Sequence, residues 1–582
     1  MKKSYTLHFA AGIMLSLSAV AQAPAWKSKV DPVVLKKAET QATVEIVAVL
    51  KEQPDLSAAD KLETKEQKGL FVYNALKAAA NHSQGEIKEL LTQSNVAFQS
   101  FFVVNCVSVH AADLKTIEAI ANLASVESVI ENSKYVVSKT FTSNYSLREE
   151  AEAPAALEWG ISKTKADQVW ALGYKGQGVI VAGEDTGYKW DHPAIKKQYR
   201  GWDGSKADHN YNWHDVVKSG GGSCGANLKA PCDDNKHGTH TMGTMVGLDG
   251  SNQIGMAPEA KWIGCRNMNA GVGTLDSYIE CFEFFLAPTD LNGGNVNTAK
   301  APHVINNSWG CPTSEGCNSS NFATMEAVVN NLRAAGVVVV VSAGNDGATC
   351  SILNTPAAIF TGSFTVGSTT STDEISSFSS RGPVKNYGPE KVSPDISAPG
   401  SNVRSCVPSG GYESLSGTSM AGPHVTGLVA LIISANPGLA GQVAKIEDII
   451  QKTAVKLYSS ACGSGANAVP NNTFGYGRID ALAAVNEAIK SVSVDELNKS
   501  VALVTAFPNP FENTVSFEFS NWKPGTTLEV YSITGAIITS KTWESIPQRY
   551  VVDLSTQASG AYFYRVSNDS ENANGKLFKV SQ

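Results

Sequence analysis

Gly417-Thr418-Ser419-Met420-Ala421-Gly422-Pro423-His424 is the stretch on which the reading of the whole chain turns. A long apolar run, Val425 to Ala435, follows it, and Asn436-Pro437 ends that run. The pattern predicts a buried helix with a serine in its first turn. Thr418 is the expected N-cap, and Pro423 sits early enough to be tolerated. A helix N-terminus presents free N–H groups and a partial positive charge. A hydroxyl placed there can attack a carbonyl, with a donor beside it for the oxyanion. The site becomes an enzyme if a base and an acid lie upstream.

Three upstream stretches supply candidates. Asp233-Asp234-Asn235-Lys236-His237-Gly238-Thr239-His240 leads into a helix of small residues, with His237 as the base. His237 and His240 as metal ligands are the alternative, but the spacing lacks a His-Glu-x-x-His motif. Asp185, in Glu184-Asp185-Thr186-Gly187, follows the apolar run at Val179. A carboxylate at the C-terminal end of a parallel strand sits where α/β sheets place ligands. Asp-Thr-Gly also occurs in proteases that pair two such loops, and no second loop is found here. Asn345, in Ser342-Ala343-Gly344-Asn345-Asp346-Gly347, follows five valines, Val337 to Val341. Its amide can aim a donor at developing negative charge, a contribution of about 100- to 1000-fold in rate. Each piece alone also fits an ordinary turn or cap.

Around these pieces, from Leu157 to about Lys490, apolar runs of strand length alternate with helical runs and Gly-rich loops. Val179 to Ala182, Val304 to Ser308 and Val337 to Val341 lack the alternation of half-exposed strands. That predicts an α/β fold, a mostly parallel sheet covered by helices on both faces.

The order Asp, His, Asn loop, Ser is the order of subtilisins, distinct from chymotrypsins and α/β-hydrolases. The sequence resembles the subtilisin-like serine proteases at Asp185-Thr186-Gly187, at His237-Gly238-Thr239-His240 and at Gly417 to His424. Phe378 to Pro383 and Asp395 to Gly400 fit as well, and Trp262 to Arg266 with Asn307 to Pro312 looks most like the bacillopeptidase F group. The resemblance covers about Trp159 to Ile489. It implies Ser419 as nucleophile, His237 as general base and acid, and Asp185 as the group orienting the imidazole. It implies an oxyanion hole from Asn345 and the Ser419 N–H. Ser308, Trp309 and Gly310 fall where the family pairs an extended substrate strand. One departure is Gly183-Glu184, where the family carries apolar residues; Glu184 is expected to face away from the triad.

The flanks set the context. The chain has 582 residues, too many for one core, and a net charge of −7 with no basic block that would suggest nucleic acid. Lys2 and Lys3 before the apolar run Leu7 to Ala21 read as a Sec-type signal peptide, residues 1–21, too short for a typical membrane span. Residues 22–150 read as a small α+β module in the order strand, helix, strand, helix, strand. In position and element order it resembles a subtilase propeptide, which assists folding and then plugs the active site. Its acidic run-out, Ser146 to Pro154, is the expected cleavage segment. The catalytic domain spans 151–490 and a linker 491–500. Residues 501–582, with alternating Val515-Phe517-Phe519, predict a β-sandwich of about seven strands. Phe507 to Phe511, Gly560 to Val566 and Gly575 to Val580 resemble the type IX secretion sorting domain of Bacteroidetes. That implies a protein secreted or held at the outer cell surface.

Ten cysteines without a Cys-x-x-Cys fit an oxidising compartment. Cys224 and Cys232 are close in sequence, as are Cys311 and Cys317. Cys265 and Cys281 could join a strand to the next helix. Cys350, Cys406 and Cys462 leave one unpaired. Catalysis in this reading needs no cofactor. Structural calcium stays open at Asp249 to Gln253, with no ligand assigned. Expected partners are protein or peptide substrates, the chain's own propeptide as inhibitor, and the type IX secretion machinery, with the protein a monomer. Two other functions fit parts of the chain: a catalytically dead binding scaffold, and an adhesin working through its terminal β-module.

Overall fold

The computed structural model of the chain describes residues 24–137, 140–142, 157–310, 318–353, 356–385, 387–498, 503–520, 522–568 and 572–580. The signal stretch, the acidic segment Ser146 to Pro154 and the pair Cys311 and Cys317 lie outside the described residues. Asp31 caps the first helix, α1 (Pro32–Thr40), by accepting from Val33 N, with proline at the first helical position. After β1 (Val44–Leu50), a Thr64/Gln67 capping box starts α2 (Lys65–Ser83), and α3 (Gly85–Gln93) follows. Next come β2 (Phe98–Phe101), β3 (Cys106–Ala112), α4 (Leu114–Asn122) and β4 (Val126–Glu131). The strands form an antiparallel sheet in the order β2-β3-β1-β4. The sequence pattern missed α1. It also read Ala97 to Val109 as one run, whereas Phe102 to Asn105 turn the chain back as a hairpin.

β1 alternates its contacts as a covered strand should. Ile46, Ala48 and Leu50 pack with Ile87 and Leu91 of α3 and Ile117 and Ile120 of α4. Val47 belongs instead to a cluster with Val72 and Leu76 of α2 that continues into the larger domain. Two short strands leave this module, β5 (Lys134–Val137) and β6 (Phe141–Thr142).

The larger domain begins with α5 (Trp159–Lys163) and α6 (Ala166–Ala171). Then come β7 (Ile180–Asp185), α7 (Pro193–Lys196), β8 (Trp213–Asp215), α8 (His237–Val246) and the hairpin β9 (Leu248–Asp249) with β10 (Asn252–Gln253). The next stretch holds β11 (Lys261–Arg266), β12 (Val272–Thr274), α9 (Leu275–Leu286), β13 (Val304–Asn307), β14 (Trp309–Gly310) and α10 (Ser319–Ala334). β15 (Val338–Ser342), β16 (Phe364–Thr369), β17 (Ile396–Pro399), β18 (Val403–Cys406) and β19 (Tyr412–Ser416) lead to α11 (Thr418–Ala435), α12 (Val443–Thr453) and α13 (Ala481–Asn498). α13 runs through most of the stretch expected to be a linker.

Seven strands form one sheet, in the order β17-β16-β15-β13-β7-β11-β8, and every pairing in it is parallel. This is the expected α/β architecture. The valine strand β15 shows why alternation is absent from its sequence. Val339 and Val341 join the cluster of α9 and α10, with Phe282, Met325 and Leu332. Val340 lies on the α11 side, near Gly422. Both faces are apolar because helices cover both. Parallel pairing also puts the C-terminal ends of β7, β13 and β15 along one edge.

Among the described residues, three disulfides brace this domain: Cys224–Cys232, Cys265–Cys281 and Cys350–Cys462. Cys106 and Cys406 are free and buried. The residues from Ile489 onward form a separate unit. Its strands β20 (Leu503–Phe507), β21 (Thr514–Ser520), β22 (Thr526–Tyr531), β23 (Ile537–Trp543), β24 (Arg549–Asp553), β25 (Gly560–Ser567) and β26 (Asn572–Lys579) pair antiparallel in two sheets, β20-β21-β24 and β23-β22-β25-β26. Val515, Phe517, Leu528, Val530, Val566 and Leu577 fill its core.

Candidate active site

Asp185 ends β7 and is buried. Its carboxylate oxygens lie 2.7 and 2.9 Å from Nδ1 of His237, the first residue of α8. The Thr186 N–H donates to the same carboxylate at 2.7 Å. β7 and α8 can meet this closely because Gly238 has no side chain: a Cβ there would stand 2.2 Å from the Gly187 carbonyl oxygen.

Asp233 ties the two segments together, a role that the sequence reading did not assign. It accepts from the Thr186 hydroxyl at 2.8 Å, from Thr239 N at 2.9 Å and from the Thr239 hydroxyl at 2.6 Å. Asn235 N and Lys236 N also donate to it, both at 2.9 Å. One buried carboxylate therefore satisfies the free N–H groups before and within the first turn of α8 and anchors the loop after β7. The only hint in the sequence is that Asp233 stands just before the histidine block.

Ser419 is the second residue of α11 and is fully buried. Gly417, not Thr418, is the N-cap. Thr418 serves elsewhere: its N–H and hydroxyl both donate to Asn345 Oδ1, at 2.8 and 2.9 Å. That fixes the rotation of the Asn345 amide, which follows β15. Pro423 lies inside α11 and has no N–H to give the Ser419 carbonyl. The Ser308 hydroxyl, just after β13, donates to that carbonyl at 3.4 Å. The proline is thus accommodated by a partner from the sheet edge.

α8 and α11 pack against each other. His237 Nε2 and Ser419 Oγ are both buried without a hydrogen-bond partner. Buried polar atoms are nearly always paired, and the exceptions ask for a reason such as chemistry. The metal alternative for His237 and His240 lacks a shared ligand position. His240 Nε2 faces the main-chain carbonyls of Val403 and Glu413, each at 3.1 Å, and burial pushes its pKa down to about 3. The turn Asp249 to Gln253 supplies one carboxylate, which accepts from the Tyr412 hydroxyl, and its Asn252 side chain holds Arg404.

Trp309 and Gly310, in β14, pair antiparallel with Val137 and Val136 of β5. On its other side β5 pairs with β12, Gly273 opposite Tyr135. The β12 wall was missed in the sequence because Val-Gly-Thr carries no distinctive motif. β6 pairs with Leu415 and Ser416 of β19, three residues before Ser419. Glu184 faces away from His237: it accepts from the Trp309 indole N–H at 2.9 Å. Burial raises its pKa well above the usual carboxylate value.

The family profile described as Subtilase family matches residues 176–477. A second profile, Secretion system C-terminal sorting domain, matches residues 505–580. The chain is 37% identical over 465 residues to bacillopeptidase F of Bacillus subtilis (strain 168), an alignment covering 77% of this chain and 30% of that protein. It is 33% identical over 331 residues to subtilisin BL of Lederbergia lenta, covering 56% of this chain and 98% of the relative. Against alkaline elastase YaB of Bacillus sp. (strain YaB) it is 31% identical over 324 residues, 55% of this chain and 71% of the relative. The sorting domain assigns the protein to secretion or the cell surface. With a parallel sheet, an Asp–His contact at its C-terminal edge and a profile match over half its length, the chain belongs to the subtilase family of serine-type endopeptidases.

Proposed function

We propose that the protein is a secreted serine endopeptidase made as an autoinhibited zymogen, with residues 1–21 as signal peptide, 22–150 as propeptide and 151–490 as catalytic domain. The observation that carries this reading is β5. A strand of the same chain lies as the middle strand between β12 and β14, beside Ser419, as an extended substrate would. In this reading a first cut falls between Val137 and Phe141, and cleavage in the acidic segment Ser146 to Pro154 completes removal of the propeptide. β5 pairs next to Ser308, which touches the Ser419 carbonyl, and β6 pairs with Ser416.

The chemistry follows from the groups present. Ser419 Oγ attacks the substrate carbonyl carbon as His237 Nε2 takes its proton. Asp185, against Nδ1, keeps the tautomer and stabilises the imidazolium. Asn345 and the Ser419 N–H hold the oxyanion. Collapse breaks the C–N bond, and His237 returns the proton to the leaving amine. Water, deprotonated by His237, then hydrolyses the ester and restores Ser419. No cofactor enters any step. One chain supplies every named residue, so a monomer suffices. The terminal domain hands the chain to the type IX secretion machinery.

The test is maturation and casein hydrolysis of the secreted protein. Wild type should lose residues N-terminal to the Val137–Phe141 interval and hydrolyse casein. Ser419→Ala should keep its propeptide covalently attached and hydrolyse none. A Ser419→Ala protein that matures and digests casein like wild type would refute the reading, and so would a folded wild type with no activity.

A further inference from the structure

Helix α2 begins with two buried lysines. Lys65 is 3% exposed and Lys68 is 7% exposed, and both ammonium groups reach out of the leading module. Lys65 Nζ donates to the Ala301 carbonyl at 2.8 Å, and Lys68 Nζ donates to the Gly441 carbonyl at 2.9 Å. Beside them the Gln442 side-chain amide donates to the Glu63 carbonyl, just before α2, at 2.9 Å. The fit depends on Gly441. Its φ is +82°, and a Cβ there would stand 2.9 Å from Lys65 Cα. Helix and loop approach this closely only across a glycine.

These contacts lie far from the cleft. Ala301 stands just before β13, and Gly441 packs on Gly336, just before β15, where a Cβ would meet the Gly441 Cα at 2.8 Å. They are therefore at the N-terminal ends of two strands whose C-terminal ends lead to Ser308 and Asn345. α11 measures the gap: Ser419 is in its first turn, and Gly441 comes after its last, a helix of 18 residues and about 27 Å. Burying an ammonium group is costly unless it is hydrogen-bonded, and burial pushes the Lys65 pKa down to about 8. A methionine would pack at either position without that cost. What the lysines add is a donor long enough to reach a carbonyl of the larger domain.

We propose that Ala301, Gly441 and Gln442 form a second docking site, at the edge of the sheet opposite the active site, whose partner is the chain's own α2. The leading module is then held at two places, by β5 in the cleft and by α2 at this distant seat. Cleavage after β5 leaves the lysine contacts untouched. The α2 latch keeps the severed module bound, and so sets how long the enzyme stays silent after its own cut. The timing role rests on the peptidase reading, and the seat itself does not.

The experiment follows the secreted full-length chain through maturation. It reads the lag before casein hydrolysis together with the severed module that co-elutes with the enzyme on gel filtration. A hydrogen bond from a buried ammonium is worth about 10- to 100-fold in dissociation. The double variant Lys65→Ala, Lys68→Ala should be cut at the same place as wild type. It should release the severed module at least about 10-fold faster, shorten the lag to match and reach the same final rate on casein. Lys61→Ala, which removes an exposed lysine of the same module, should behave as wild type. Gln442→Ala lies on the enzyme side and leaves the fold of the module alone; it should shorten the lag about threefold. An unchanged lag in the double variant, or in Gln442→Ala should the double variant not fold, would overturn the latch. A folded wild type that is never cut and digests no casein would overturn the peptidase reading. In that chain the seat is read by acetylation of lysine amines, mapped by mass spectrometry. Lys65 and Lys68 reacting at least about 10-fold more slowly than Lys61 would support the seat, and equal rates would overturn it.

Discussion

Asn345 and Thr418 hold each other immediately before Ser419. The amide oxygen is occupied by two donors from Thr418, so the amide NH₂ is turned the other way. In the proposed oxyanion role, Asn345→Ala should lower kcat about 100- to 1000-fold with little change in KM, the range for loss of one oxyanion donor. Steady-state kinetics on one peptide checks it, and unchanged turnover would remove Asn345 from the oxyanion hole. At this scale the sequence was most informative. Asp185, His237, Asn345 and Ser419 were proposed from motif and order, and the structure brings Asp185 to His237 and Asn345 to Thr418, next to Ser419. Asp233 and the Glu184–Trp309 pair were not found. Their partners come from separate segments, and nothing local in the sequence marks a long-range acceptor.

The elements were legible where burial gives a clear pattern. The valine strand β15 and the apolar helix α11 declared themselves. The β2–β3 hairpin did not, because its turn is apolar where exposed turns are polar. Phe102 and Val103 in that turn are buried against the larger domain, and their N–H groups donate to Glu283 of α9 at 2.6 and 3.0 Å. Removing Glu283 leaves two buried donors unpaired, each worth about 1–3 kcal/mol. In a Ser419→Ala background, where the chain stays intact, Glu283→Ala should sharply raise hydrogen exchange at the Phe102 and Val103 amides. Unchanged protection would show that apolar packing alone docks the module. The same reasoning explains α9: Asn132 accepts from Asp276 N, near its start, so the leading module caps a helix of the domain it covers.

Over the whole molecule, ten cysteines pointed to a stiffened secreted protein, yet pairings distant in sequence were not legible. Cys350 and Cys462 are 112 residues apart. Closing so long a loop is worth about 4–5 kcal/mol by chain entropy. Replacing both by serine should lower the denaturant midpoint by a corresponding amount, and no change would mean that the segment is held by packing alone. Acid stability follows from opposed buried groups. His240, His303 and His424 are pushed down from 6.5 to about 3, 3 and 4 by burial. Their folded pKa values lie below the unfolded value, so their stabilisation is complete above pH 6.5 and is lost as pH falls. Glu158 and Glu283 are pushed up from 4.5 to about 7, again by burial. These gain relative stability as pH falls from 7 to 4.5, which offsets part of the loss from the three histidines in that window. Below pH 4.5 the offset ends, and Glu280, held down to about 2 despite its burial by the hydrogen bond and charge of His214 and by Lys218, adds to the loss. The melting temperature of the Ser419→Ala chain should thus fall gently between pH 6.5 and 4.5, where three histidines outweigh two glutamates, and steeply below. A steep fall beginning at pH 6.5 would show that the glutamates do not offset the histidines.

All of this depends on Ser419 being an activated nucleophile. Labelling the mature enzyme with a fluorophosphonate and mapping the adduct by mass spectrometry tests it most directly. The account predicts one phosphonyl group, on Ser419, with labelling slowed by at least about 1000-fold in His237→Ala. An adduct on another residue, or full casein hydrolysis with Ser419 unlabelled, would contradict it.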